Sequence, residues 1–258
     1  MFACRSGLLA VLVAGVLCTP ALAQAGPDAT GIEAGLVPAF SIWNVRIGSP
    51  VIDIPEMEVV DISCGTNGGP PSTPLKDFAD FAVCPAEDSG LHEVYFAKDD
   101  ELDYIAKALD NEYRAYQSGT SIYAHPIVQT VLVDDGGIVR GIRIVTDDRA
   151  SLRDRRLAVT LSKNLKGRYR DWLPACQDFP PAAGENPVGS EFIHELCQAN
   201  SPDGKQALRI EATFLRKKGQ EAVSRDTQQI NRGYFESRTR FEIVEKPYEP
   251  APAPATSR

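Results

Sequence analysis

Four cysteines stand beyond the first 23 residues: Cys64, Cys84, Cys176 and Cys197. Their compartment decides what the chain can fold into. An oxidising one joins them in pairs, and a reducing one leaves four thiols. The opening stretch, MFACRSGLLAVLVAGVLCTPALAQAG, speaks to that choice. Arg5 precedes an apolar run from Leu8 to Cys18, then Pro20, then the small residues Ala21 and Ala23 around Leu22. That is the pattern of a cleavable secretory signal, with cleavage near Ala23. The run is short for a bilayer span. Val16 and Leu17 are bulky where a lipoprotein signal has small residues. Cleavage removes Cys4 and Cys18, so the mature chain is expected in the periplasm or outside the cell with an even cysteine count.

Two disulfides are therefore expected. Local pairing, Cys64 with Cys84 and Cys176 with Cys197, is the simplest of three connectivities. Each local bridge would close a loop of about twenty residues and stabilise the fold by about 3 kcal/mol through chain entropy.

Periodicity outlines the elements. In LHEVYFAKDD, Val94 and Phe96 alternate with Glu93 and Tyr95, which predicts a strand. The next stretch, residues 99–119, places Leu102, Ile105, Ala106, Leu109, Tyr113 and Tyr116 on one helical stripe, ended by Gly119. Two Val/Ile-rich runs flank Asp134-Asp135-Gly136-Gly137, a hairpin signal. A second helix is predicted from about Ala150 to Lys166, with Leu157, Leu161 and Leu165 as its apolar line. Residues 170–206 read as loops, with a short helix over about Gly189 to Leu196. Finally, ALRIEATFLRKKG and GYFESRTRFEIVEK alternate strictly. Phe235, Phe241 and Ile243 face one way; Glu236, Arg238, Arg240 and Glu242 face the other, which reads as a wet face.

The expected fold class is α+β: a small mixed or antiparallel sheet with two main helices, in the order strand–helix–hairpin–helix, followed by a C-terminal antiparallel strand pair. That order resembles small α+β modules of exported bacterial envelope proteins. The expected organisation is a signal peptide over 1–23, a flexible lead-in over 24–38, and an α+β module with its disulfide-closed loop over 39–170. A loop-rich segment with the strand pair, packed on that module, covers 171–246, and a disordered Pro/Ala tail covers 247–258.

Familiar chemistries lack their residues. CGTNGGPP has neither the Lys-Ser/Thr of a phosphate loop nor the dinucleotide glycine spacing, and Pro70 and Pro71 oppose an immediate helix. Asn67-Gly68-Gly69 reads as a tight turn in a stapled loop, with Asn67 a candidate recognition residue on it. In HELCQ, Gln198 stands where a zinc-protease helix needs its second histidine. No G-x-S-x-G elbow occurs. The clusters around Asp99, Asp134 and Asp147 fit helix caps and turns better than a calcium loop. No residue is assigned to catalysis, a metal or a cofactor.

Charge carries the remaining signal. The formal net charge is −8, and −9 without Arg5, which disfavours general nucleic-acid binding. Yet Arg140 to Arg170 holds ten Lys/Arg against Asp147, Asp148 and Asp154. Arginine suits bidentate capture of carboxylate or phosphate. The expected activity is thus non-enzymatic: an exported binding or envelope-assembly factor. It would dock an acidic protein or anionic envelope polymer through Arg149, Arg153, Arg155 and Arg156. The alternative is a small periplasmic hydrolase with a dispersed site, using His125 or His194 with carboxylates.

Overall fold

A computed structural model describes residues 40–98 and 120–252. Nine strands among them form one antiparallel sheet. They are β1 (Val59–Cys64), β2 (His92–Lys98), β3 (Ser121–Ile122), β4 (His125–Val133), β5 (Val139–Thr146), β6 (Ala175–Asp178), β7 (Ile193–Asn200), β8 (Gln206–Leu215) and β9 (Glu236–Glu245). The order across the sheet is β1-β2-β4-β5-β9-β8-β7-β6, with β3 paired to β4. The first strands meander to β5. The chain then crosses to the far edge and meanders back, so that β9 closes on β5.

The crossing carries a 17-residue helical run. It comprises α1 (Leu152–Leu157), a 3₁₀ turn (Ala158–Thr160) and α2 (Leu161–Arg168). Ser151 starts it: its Oγ accepts from the Asp154 amide and donates to the Asp154 carboxylate. Ala158, Leu161 and Leu165 are buried against the sheet.

Alternation makes the two sheet faces chemically different. One bears Val94, Phe96, Val131, Val133, Ile142, Ile144, Phe241, Ile243, Leu208 and Ile210, packed in a single core with Leu161, Leu165 and Phe78. The other bears Glu93, Thr130, Arg143, Arg240 and Glu242, and these are buried too. Both faces are covered at the sheet centre, which is why β4 and β5 are buried almost continuously.

Several expectations need correction. The fold is a large antiparallel sheet, not a small sheet with two main helices and an appended strand pair. β8 and β9 do pair, but they lie in the middle of the sheet because β9 also pairs with β5. The first expected helix, 99–119, lies outside the described residues. The segment read as a helix over 189–196 instead leads into β7, whose ladder to β8 runs from Ile193 to Asn200. The face of Arg240 and Glu242 is not wet, since neighbouring loops cover it.

Other expectations hold. The β4–β5 hairpin turns at Asp134-Asp135-Gly136-Gly137. Asp134 Oδ1 accepts from the Gly136 and Ile138 amides at 2.9 and 3.0 Å, and Gly137 takes φ +75°. Both disulfides are local: Cys64–Cys84 closes the loop after β1, and Cys176–Cys197 joins opposed residues of β6 and β7. Among the described residues, no helix is long and apolar enough to cross a membrane.

Candidate functional site

The charged sheet face is built by strand register. Arg143 on β5 lies opposite Thr130 on β4 and Glu242 on β9. Its Nε donates to Glu242 Oε2 at 2.7 Å. Its Nη1 and Nη2 donate to the two oxygens of Glu87 at 2.6 and 2.8 Å, and Nη1 lies 2.9 Å from Glu93 Oε1. Arg240 Nη2 shares Glu242 Oε2 at 2.8 Å and also donates to Asn67 Oδ1 at 2.6 Å, while Nη1 donates to the Asn67 carbonyl at 2.8 Å.

The stapled loop is thereby bolted to the sheet. The Asn67 and Gly68 amides both donate to Glu93, and so does Thr130 Oγ1. Gly68 has φ +79°, and a Cβ there would lie 2.5 Å from Val145 and 2.9 Å from Arg240. Only glycine lets the backbone approach that closely. Ala251 closes the other side, its amide donating to Glu242 Oε1 at 2.8 Å.

The two guanidiniums compete for the carboxylates. Burial penalises the Arg143 charge, but Glu87, Glu93 and Glu242 outweigh that and raise its pKa. Arg240, with burial first against it and the Arg143 charge second, falls to about 10. It remains a cation at neutral pH. Every carboxylate oxygen of Glu87, Glu93 and Glu242 accepts a hydrogen bond from Arg143, Arg240, Thr130 or a backbone amide. The network is a lock rather than a proton relay.

The expected basic segment is divided by the fold. Arg140 pairs with Asp134 and Glu245, Arg149 takes Asp147 through Nε and Nη2, and Lys166 pairs with Glu195. Arg155 turns inward, its Nη2 donating to the Gly233 and Phe235 carbonyls. Arg153 and Arg156 are exposed on α1 and Lys163 on α2, whereas the Arg168 guanidinium lies over the Trp43 ring, 4.1 Å from its centroid. Asn67, placed on the recognition loop by sequence, faces Arg240 and Glu93.

The histidines do not converge. His92 is fixed between the Cys84 carbonyl and Asp135, which is 93 % exposed at the hairpin tip. His125 Nε2 lies 3.3 Å from Thr160 Oγ1. His194 Nδ1 is 3.7 Å from Glu185, beyond hydrogen-bond reach. Cys176, Glu195 and Cys197 cluster closely, but both sulfurs are spent in a disulfide.

Sequence reasoning missed Glu87, Glu93, Arg143 as a buried hub, Arg240 and Glu242. The available signal was opposite charge at alternate positions of HEVYF, VRGIRIV and SRTRFEIVE, three strands of one sheet in which the last two pair directly and β4 separates the first two. The same alternation places Arg238 one repeat beyond Arg240, beside a cavity of about 290 Å³. Compared with protein families, curated proteins and solved structures, the chain finds no match.

Proposed function

We propose that the chain is an exported, non-enzymatic docking protein, binding an acidic protein surface through the outer face of the α1–α2 run. The observation that carries this reading is the face itself. Arg153, Arg156 and Lys163 are exposed on it. Asp154, the one carboxylate between Leu152 and Arg170, is half-buried and bonded to Ser151. A cationic stripe on a chain of formal charge −8 steers partners of opposite sign to one place.

Leu152 and Leu157 interleave with these cations, 45 % and 47 % exposed. Apolar side chains among cations favour an acidic protein over an anionic polymer, because a polymer offers little apolar surface to them. The binder reading is preferred to the hydrolase because His92 and His125 serve fold contacts and His194, 3.7 Å from Glu185, makes no hydrogen bond to it. Two disulfides and the apolar leader support an exported location, with cleavage near Ala23.

Capture from an envelope extract tests this. Wild-type protein is compared with the Arg153→Glu/Arg156→Glu/Lys163→Glu variant. The expected result is a captured acidic protein whose recovery falls at least about tenfold in the variant. Equal recovery from both contradicts the reading, as does capture of polysaccharide alone.

A further inference from the structure

Arg238 follows Arg240 and Glu242 in the same side-chain series of β9, and of the three it alone has no side-chain partner among the described residues. Among the described residues its side chain makes no hydrogen bond, and no carboxylate oxygen comes within 4.0 Å of its guanidinium. It is nonetheless half-buried. Glu211, Glu236 and Asp148 act on it only at longer range, and Arg143 repels it; burial is the largest influence and lowers its pKa. A partly desolvated cation without a close counter-charge is less favourable than a paired one, and an unmet guanidinium fork suits a planar anion.

The space beside it fits such an anion. Its cavity, about 290 Å³, has Val128, Val145 and Phe235 as apolar walls and the Gly68-Gly69 backbone on another side. That volume is at the small end of ligand sites. Arg155 also lines it, held in place by the Gly233 and Phe235 carbonyls. Two carboxylates reach the rim. Lys217 neutralises Glu236 at 2.9 Å, which leaves Asp148 against Arg155 and Arg238. The balance is a surplus of one positive charge, matched by one carboxylate, while Asp148 opposes a second anionic charge.

We propose that this cavity binds a small monocarboxylate with a short apolar body, its carboxylate held by Arg238 and its carbons against Val128, Val145 and Phe235. The site is separate in chemistry from the outward helix face. It needs no macromolecular partner.

The test is titration of the full mature chain with acetate, isobutyrate and phenylacetate, followed by NMR amide shifts and calorimetry. Phenylacetamide and inorganic phosphate serve as controls. Expected is saturable binding of at least one branched or aromatic acid with Kd of about 1 mM or tighter, stronger than acetate. Phenylacetamide and phosphate should bind at least about tenfold more weakly, and Arg238→Gln should weaken the acid by a similar factor. Arg238 carries an uncompensated charge in the free protein, so the variant should unfold at or above the wild-type midpoint. No saturation by any acid below about 10 mM overturns the proposal. So does equal affinity for the amide or for phosphate, or an affinity unchanged in Arg238→Gln. The amide comparison uses wild-type protein alone, so it decides the matter even if the variant misfolds.

Discussion

Arg143 and Glu242 face each other across β5 and β9, joined from Nε to Oε2 at 2.7 Å, with neither side chain reaching solvent. A buried pair of this kind is weak evidence for added stability, because desolvation offsets most of the attraction. Breaking it is another matter, since the survivor stays buried and unpaired. Glu242→Gln is expected to lower unfolding free energy by about 3–5 kcal/mol. Arg143→Gln should cost more, because Glu87 and Glu93 lose the same partner. Urea unfolding measures both: the midpoint should fall with an unchanged slope.

Gly68 and Gly90 share φ +79° but not their surroundings. A Cβ at Gly90 meets nothing within 4 Å, whereas one at Gly68 strikes Val145 and Arg240. Gly90→Ala therefore carries the backbone penalty alone, about 1–2 kcal/mol. Gly68→Ala carries that and the displacement of the loop from the sheet. Paired unfolding curves should separate the two, with Gly68→Ala clearly the less stable. Equal losses would mean that the loop is not seated on Arg240.

His125 links stability to pH. Burial lowers its pKa below 6.5, and the Asp154 charge only partly opposes that. The Thr160 hydroxyl donates to the Leu157 carbonyl at 2.7 Å, so the ring is the donor in the His125–Thr160 contact. Either protonation state can donate there, and burial is what favours the neutral ring in the fold. Its contribution is complete above the unfolded pKa of 6.5 and is lost as pH falls from there through the lower folded value. Between about pH 7.5 and pH 5, wild type should lose more stability than His125→Gln. Parallel losses in the two proteins would contradict this.

Both disulfides should be complete in the exported protein, so thiol labelling of folded chain should find no reactive cysteine among Cys64, Cys84, Cys176 and Cys197. Replacing Cys64 and Cys84 together by Ala should destabilise by about 3 kcal/mol. It should also raise hydrogen exchange over residues 65–72, which Glu93 and Arg240 would then hold to the sheet without the covalent link.

Local chemistry was legible in the sequence, and distant pairing was not. Asp134-Asp135-Gly136-Gly137 announced its hairpin because turn geometry is a property of the turn residues themselves. Leu161 and Leu165 marked the helix that buries them. Ile193 and Leu196 misled, since their spacing of three fits a helix. What decides that segment is the ladder to β8 and the Cys176–Cys197 bridge, both set by tertiary structure. The charged face misled for the same reason. Glu242 and Arg143 stand 99 residues apart, and strict alternation of charge looks solvent-facing until a loop from residues 65–70 is laid across it. The segment's ten cations were countable, but which of them the fold binds to carboxylates depended on partners as distant as Glu245 and Glu195.

The account rests on the outward cations of α1 and α2 as a docking surface. Capture of the acidic partner by wild-type protein, followed from about 50 to 500 mM salt, tests this most directly. Affinity should fall steadily as salt rises, and the Arg153→Glu/Arg156→Glu/Lys163→Glu variant should start weak and show a much flatter dependence. A partner held equally well across that range, by wild type and variant alike, would contradict it.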